Sequence, residues 1–291
     1  MNKPTLSIVI PAYNEEASIH TCLESIITQN QETFVLHEII VISDGSQDKT
    51  ASVARDFNSP IIRVIEHTTN KGMQERLNEG FREAQGDYLF KIDADLTLYN
   101  QDSLEIIMSS AQKSQTSGLI MFREYLKPQN IIESYLFFWD TFRKKVLHQL
   151  SEEFFILRVT GSYLLTKDIY QNLTISDDIV EEDHYVLLNV LAQGKKVQSL
   201  ESPLIRGNYL DSWEHVVRQY ARYTTTTINS KHFSPELLQK YKPLIPKKII
   251  FATLFKHFLT RPHDILHVIL RIWIGREASV LKKENPIQRT W

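Results

Sequence analysis

Asp93 and Asp95, one residue apart at the end of Tyr88-Leu-Phe-Lys-Ile-Asp93-Ala94-Asp95, are the side chains of this 291-residue chain best suited to chemistry. Alternate side chains of an extended segment share a face, so both carboxylates can project into the crevice beyond a strand's carboxyl end. Hard oxygen ligands there suit Mg²⁺ or Mn²⁺ carrying a diphosphate, because these ions keep several waters and need only one or two protein carboxylates. An isolated Asp-x-Asp also serves as ordinary turn and capping chemistry, so its meaning depends on the elements that position it.

Those elements alternate. Apolar runs at 6–10, 38–43, 61–66 and 88–92 predict strands, separated by amphipathic patterns that predict helices near 17–29, 49–57 and 73–84. Near-continuous apolar strands between such helices imply an α/β architecture with a parallel sheet covered on both faces. Function in such sheets gathers at the carboxyl ends of the strands. Each strand here runs into a suggestive group: Pro11-Ala12-Tyr13-Asn14-Glu15, Asp44-Gly45-Ser46, Asn70-Lys71-Gly72 and Asp93-Ala94-Asp95. Any one of them is explained by turn chemistry, but four in order converge on one edge. No Gly-x-Gly-x-x-Gly follows the first strand and no Gly-x-x-x-x-Gly-Lys-Ser/Thr occurs, which disfavours a nicotinamide or P-loop site.

The net charge of −2 hides an asymmetry. Residues 240–291 hold 11 Lys/Arg against 3 Asp/Glu, a local +8, leaving −10 on the remainder. An anionic surface is the expected partner of that tail, and no nucleic acid is expected. Its segments Ile249–Phe255 and Ile265–Ile274, bordered by Lys247, Lys248, Arg261, Trp273, Lys282 and Lys283, read as two short apolar helices suited to an anionic bilayer boundary. Packing on the catalytic lobe, or on a second copy in a homo-oligomer, is the competing use of the same surface. The first residues show no charged-then-apolar leader and no window reaches 18 apolar residues, so the expected location is cytoplasmic, peripheral on the inner face of the membrane. Cys22, the single cysteine, falls in an apolar helical pattern and reads as a core residue.

Over roughly residues 5–225 the chain resembles the inverting glycosyltransferases of family 2, which have the GT-A fold and include dolichyl-phosphate mannose synthases and cellulose and hyaluronan synthases. Ser7-Ile-Val-Ile-Pro-Ala-Tyr-Asn-Glu15 is similar to that family's N-terminal signature. The resemblance implies that Pro11, Ala12, Tyr13 and Glu15 line the nucleotide and that Asp44 contacts its base. It also implies that Asn70-Lys71-Gly72 with Asn78-Glu-Gly80 runs under the diphosphate. Many members carry Arg where this chain has Leu77, with Arg76 one place earlier. Thr160-Gly161-Ser162 resembles the acceptor-pocket strand, and Glu181-Glu182-Asp183-His184 the family's Glu-Asp motif. Gln219-Tyr-Ala-Arg222-Tyr223 resembles its Gln-x-x-Arg-Trp motif with Tyr for Trp. On a helix Gln219, Arg222 and Tyr223 share a face and could meet the diphosphate and acceptor.

The resemblance implies a GT-A domain with a nucleotide-sugar half at 1–115 and an acceptor half at 116–235, followed by a basic helical tail at 236–291. The expected activity is single-sugar transfer, with inversion, from a UDP-sugar to a hydroxyl acceptor that is lipid-linked if the tail meets a membrane. Asp93 and Asp95 would hold Mg²⁺ or Mn²⁺. Asp183 would be general base, with Glu182 and Asp178 as rivals, because an acceptor hydroxyl is a poor nucleophile at neutral pH. Two alternatives remain at this level: a non-catalytic nucleotide-sugar-binding module, and a sugar-phosphate nucleotidyltransferase. The latter normally needs a Gly- and Arg-rich loop unlike Pro11–Glu15.

Overall fold

The computed structural model describes residues 2–150, 161–179, 181–210, 212–223, 232–241 and 245–284. The expected alternation is present as β1 (Thr5–Ala12), α1 (Ile19–Ile27), β2 (Val35–Asp44), α2 (Thr50–Arg55), β3 (Ile62–His67), α3 (Met73–Glu83) and β4 (Tyr88–Lys91). β1 pairs in parallel with β2 and β4, and β2 with β3. Leu6, Ile8, Val9, Ile10 and Ala12 are all fully buried, as a parallel strand covered on both faces requires. α1 turns Ile19, Cys22, Leu23 and Ile26 onto one buried stripe, the i, i+3, i+4, i+7 spacing of an amphipathic helix. Burying each such aliphatic side chain contributes about 1.5–3 kcal/mol. Cys22 is part of this core. Its burial, with Asp95 and Asp93 nearby, pushes the thiol far above the ordinary cysteine value, so it is inert.

After β4 come β5 (Leu96–Leu98), α4 (Ser103–Ser114), β6 (Gly118–Tyr125), α5 (Ile131–Leu147), β7 (Tyr163–Thr166), α6 (Lys167–Tyr170), α7 (Glu182–Ala192) and β8 (Val197–Gly207). The eight strands stand in the order β3-β2-β1-β4-β7-β6-β8-β5. The order reverses between β1 and β4, and a crevice opens at the carboxyl ends of the strands at such a switch point. Beyond β4 the sheet is extended by antiparallel strands: β7 lies on β4 with Lys91 opposite Tyr163, β6 on β7, and β5 on β8. Continuing the β4–β7 register by two residues sets Gly161 opposite Asp93. The antiparallel half thus delivers a second set of residues to the corner where β4 ends.

The chain divides into two compact units by internal contact. The first comprises the described residues to Glu124 and from Gly161 to Gly207, which hold the sheet; the second runs from Tyr125 to Leu150 and from Asn208 onward. This cut interleaves along the chain and differs from a serial division at 115 and 235. The second unit contains α5, α8 (Trp213–Tyr223), α9 (Pro235–Lys240), α10 (Lys247–Thr260) and α11 (Ile265–Glu284). Tyr135, Val216 and Ile274 form its centre, surrounded by Trp139, Trp213, Tyr220 and Leu270. The Arg271 guanidinium lies 4.3 Å from the Tyr220 ring centroid and 4.9 Å from that of Trp139, a doubly stacked cation. His257 Nε2 meets Asp264 Oδ2 at 2.7 Å, tying α10 to the turn before α11. Phe251, Phe255 and Leu259 of α10, with Ile265, Ile269, Ile272 and Trp273 of α11, are exposed. No helix among the described residues is long and apolar enough to cross a membrane.

Candidate active site

Lys91, the last residue of β4, organises the corner. Its side chain is fully buried, yet Nζ lies 2.6 Å from Asp93 Oδ1 and 3.2 Å from Glu182 Oε1 and donates to the Gly161 carbonyl at 2.7 Å. Burial alone would discharge an ammonium; here the Asp93 and Glu182 carboxylates outweigh it and hold the pKa above the ordinary lysine value. The chain turns at once after Asp93, with the Leu96 amide bonded to the Asp93 carbonyl at 3.1 Å. Ala94 faces the core, while Asp93 and Asp95 keep partial exposure. Arg123 Nη2, from β6, stands 3.7 Å from Asp93 Oδ2. Burial raises the Asp95 pKa; Arg123 opposes this and Asp93 adds to it. A partly exposed carboxylate pair fits a divalent cation, the two oxygen side chains being what Mg²⁺ or Mn²⁺ needs beside a diphosphate. Among the described residues no three His, Cys, Asp or Glu side chains converge as a self-sufficient metal cage.

The loop after β1 approaches the same corner. Pro11 and Ala12 are interior residues paired with Ile42 and Ser43, so of this signature Tyr13 and Glu15 are the ones with partial exposure. Asn14 adopts φ 56°, and its side chain accepts from the Gln47 amide at 2.8 Å while its own amide donates to Ser46 Oγ at 3.1 Å. Asn tolerates this left-handed backbone, and the turn aims Glu15 at the aspartates. Burial raises Glu15 to about 7 against a hydrogen bond from Ser18, with Asp95 and Asp93 contributing to the rise.

Two expectations need correction. Asp44 does not face a ligand. It is fully buried and accepts from the Lys71 amide at 2.9 Å, the Gly72 amide at 2.8 Å and Arg76 Nε at 2.5 Å. Nor can those two backbone amides cradle a diphosphate, since both are committed to Asp44; the Lys71 side chain remains exposed. Gly72 takes φ 93°, a conformation natural to glycine, to present its amide. Arg76 faces inward: Nη1 meets Glu79 at 3.2 Å and Nη2 donates to the Thr69 carbonyl at 3.2 Å. Leu77 is core. The Asp44 motif thus locks two loops together, because a buried carboxylate must have its lone pairs filled.

Helix α3 also fixes the loop that precedes α7. Asn78 Nδ2 donates to the Ile175 carbonyl at 2.8 Å and Asn78 Oδ1 accepts from the Ile175 amide at 2.7 Å, while Gln74 donates to Ile179 at 2.6 Å. This loop leads into α7, where Glu181 is the N-cap residue and Glu182 and Asp183 form the first turn, favoured there by the helix dipole. Glu182 is buried against Lys91 and serves as its counter-ion. Asp183 is partly exposed, and its field reaches Lys91 and Tyr163, as does that of Asp93 in the same unit. Asp178 instead accepts from Ser176 at 2.6 Å. Burial lowers the His184 pKa, but Asp183 and Glu181 outweigh it and raise the imidazole overall; Glu181 meets Nδ1 at 3.0 Å. Among the described residues the buried Ser162 Oγ and Tyr163 hydroxyl have no hydrogen-bond partner, a polar seam beside Gly161. Thr160 lies outside the described residues.

Gln219 belongs to the second unit, exposed on α8. The side chains of Arg222 and Tyr223 lie outside the described residues. Sequence reasoning missed Lys91, Arg123 and the Asn78 clamp. A lysine inside Tyr88–Ile92, otherwise apolar after its tyrosine, was a legible signal, since a buried cation demands anionic partners.

The chain matches glycosyl transferase family 2 over residues 7–161. A 4,4'-diaponeurosporenoate glycosyltransferase of Staphylococcus aureus (strain USA300) is 34% identical over 126 residues, 43% of this chain and 32% of the relative. This chain therefore aligns with about one third of that curated relative's length. Among solved structures, the mannosyltransferase PcManGT from Pyrobaculum calidifontis, in complex with GDP-Man and Mn2+, superposes with TM-score 0.63 at 16% identity, covering 99% of this chain and 89% of that one. S. aureus TarS 1-349 in complex with UDP-GlcNAc gives 0.56 at 15% identity over 88% and 73%. Glucosyl-3-phosphoglycerate synthase from Mycobacterium tuberculosis, with Mn2+, UDP and phosphoglyceric acid, gives 0.51 at 17% identity over 84% and 80%. The fold is that of the GT-A glycosyltransferases, and with more than half its residues matched the chain belongs to glycosyl transferase family 2.

Proposed function

We propose that this chain transfers one sugar from a nucleotide-sugar, with UDP-sugars as the donor class, to an acceptor hydroxyl with inversion at the anomeric carbon. The observation that carries the reading is Lys91, which ties Asp93 at the donor corner to Glu182, the neighbour of Asp183, through one buried ammonium. A donor-binding carboxylate and a base are thereby held by a shared strut, as in-line displacement requires of groups acting on opposite sides of one carbon. Asp93, Asp95, Glu182 and Asp183 gather at this corner around Lys91, with Arg123 beside Asp93. Asp93 and Asp95 would hold Mg²⁺ or Mn²⁺, whose chemistry is to neutralise the leaving diphosphate. Asp183 takes the acceptor proton as the new bond forms. Tyr13 and Glu15 line the nucleotide side, and Gly161 and Ser162 lie toward the acceptor. Gln219, Arg222 and Tyr223 are assigned to the acceptor side by the motif alone.

The reading extends to a lipid-linked acceptor at the cytoplasmic, inner face of a membrane. The exposed apolar residues of α10 and α11, bordered by Lys247, Lys248, Lys256 and Arg276, support an in-plane contact with an anionic bilayer.

The test is calorimetric titration with UDP, GDP and dTDP, with and without Mn²⁺, on the parent and Asp95→Ala, followed by a transfer assay with Asp183→Asn. Saturable binding of one nucleotide that needs both metal and Asp95 is expected, with turnover falling about 10²–10⁴-fold in Asp183→Asn while nucleotide binding persists. Failure of all three nucleotides to bind with metal present refutes the donor assignment; undiminished turnover in Asp183→Asn refutes the base.

A further inference from the structure

Helix α3 presents two buried amide side chains to the loop that precedes α7. Gln74 and Asn78, 7% and 6% exposed, stand four residues apart and so share one face of the helix. Their partners on the loop are also four residues apart. Asn78 uses its whole carboxamide on Ile175, donating to the carbonyl at 2.8 Å and accepting from the amide at 2.7 Å, while Gln74 donates to the Ile179 carbonyl at 2.6 Å. From the other side the Tyr185 hydroxyl of α7 donates to the Thr174 carbonyl at 3.2 Å. The helix that carries the two amides is itself fixed. It begins after Gly72, whose amide is bonded to Asp44; Arg76 meets Asp44 in the interior, and Gly80 lies against Val9 of β1. A rigid face thus holds two points of a loop, the second of them four residues before Asp183.

This anchoring suits the charge of the segment. Asp177, Asp178, Glu181, Glu182 and Asp183 place five carboxylates within seven residues, and like charges so spaced push a chain apart. Neutral amides hold it without setting a further cation beside Asp183. Lys91 grips the same segment from β4 through Glu182. We propose that Asn78 and Gln74 are positioning residues for sugar transfer, which keep Asp183 at the point from which it takes the acceptor proton. In-line displacement tolerates little error in that placement: a shift of about 1 Å in a reacting group costs on the order of a hundredfold in rate. The clamp acts through the base, so donor affinity does not depend on it. The competing role for Asn78, beneath the diphosphate, would instead weaken UDP binding. The proposal rests on the reading of Asp183 as base given above.

The experiment follows UDP release from UDP-glucose, UDP-galactose and UDP-N-acetylglucosamine, with Mn²⁺ and with water as acceptor, in single turnover with enzyme in excess. The chains are the parent, Asn78→Ala, Gln74→Met, Asp183→Asn and the two doubles with Asp183→Asn. UDP titration, a melting curve and hydrogen exchange over residues 172–185 accompany each. Asn78→Ala is expected to slow release about 10- to 100-fold and Gln74→Met, which loses one bond, about 3- to 10-fold, with UDP affinity within about twofold of the parent. Exchange rises over 172–185 and not in β1 or β4. In the Asp183→Asn background both losses shrink to within about twofold, because a residue that acts through the base has nothing left to position. A loss of undiminished size in that background, or a parallel fall in UDP affinity, overturns the proposal, as does release from Asn78→Ala at the parent's rate. If Asn78→Ala does not fold, the Gln74→Met chains are read by the same criteria. A parent that releases no UDP from any of the three refutes the transfer reading itself, a result distinct from a parent whose turnover is indifferent to the clamp.

Discussion

Replacing Lys91 with Met tests whether the strut between Asp93 and α7 is built as described. Methionine keeps the length and apolar stem while removing the ammonium, so the loss is electrostatic. In the parent Nζ serves Asp93 at 2.6 Å, Glu182 at 3.2 Å and the Gly161 carbonyl at 2.7 Å. Removing one partner of a buried ion pair costs about 3–5 kcal/mol, because the remaining charge is stranded out of water. Glu182, 8% exposed, loses this ammonium while it stays out of water. Asp93, at 22%, keeps some water and has Arg123 at 3.7 Å, so its share is smaller. The expected loss is therefore near the lower end, about 3 kcal/mol. For a chain of this size that corresponds to a fall of roughly 6–12 °C in melting temperature. Glu182→Gln in the same chain removes the carboxylate that faced the ammonium, so the double variant should recover at least about 1 kcal/mol relative to the sum of the two single losses. Urea unfolding and thermal melts of the four chains measure the cycle. A Lys91→Met chain within about 1 kcal/mol of the parent, or strict additivity in the double variant, would refute the strut.

Three further outcomes are expected, two at Glu15 and one on α10. Glu15, raised to about 7 chiefly by burial and further by Asp95 and Asp93, should make Mn²⁺ affinity climb as pH rises through 7, by an amount of order tenfold, and Glu15→Gln should flatten the profile of free Mn²⁺ measured by electron paramagnetic resonance. In the metal-free chain a raised carboxylate pKa gives stability that is full below its unfolded value of about 4.5 and lost as pH rises through about 7, so the parent should lose stability across that window relative to Glu15→Gln. Phe251 and Phe255 are each 67% exposed on α10, and replacing both with Glu should lower co-sedimentation with phosphatidylserine-containing vesicles at least about hundredfold with the far-ultraviolet circular dichroism unchanged. Undiminished sedimentation of that variant, or no binding by the parent, rules out the bilayer contact.

The parallel half of the sheet was legible because its information is local. Apolar runs in β1 and β2, and the i, i+3, i+4, i+7 spacing in α1, state their burial within a window of a few residues. The positions of Asp93, Asp95 and Asp183 were legible for a related reason: each sits just past the end of a strand or in the first turn of a helix, where polar side chains reach solvent. Roles were harder to read than positions. Asp44 and Asp93 look alike in sequence, each an aspartate after an apolar strand, yet one is sealed by two amides and a guanidinium and the other stays partly open. What separates them is the partner that the next segments supply: the Lys71–Gly72 loop closes over Asp44, while Gly161, across the antiparallel strand, leaves room over Asp93.

Non-local pairing also explains why Lys91 and Arg123 were missed. Glu182 is 91 residues from Lys91, and Gly207, which makes room for Arg123, is 84 residues beyond it, so no periodicity or short motif could join them. The strand Tyr88–Lys91 nevertheless carried half of the message, because an inner strand that ends in lysine is stable only if the fold returns anions to it. β7 brings the Gly161 turn alongside Asp93, and α3, through Asn78 and Gln74, holds the loop that leads Glu182 to Lys91. The Asn78-Glu-Gly80 motif, expected beneath the diphosphate, thus acts one step removed. Asn78 secures the approach to α7, and Gly80 lets α3 lie close on β1, where a Cβ would meet Val9 Cγ1 at 2.5 Å. A short motif on α3 therefore fixes where α7 begins, and the spacing between the Asp93–Asp95 pair and Asp183 is set by interior contacts that a substrate need never touch.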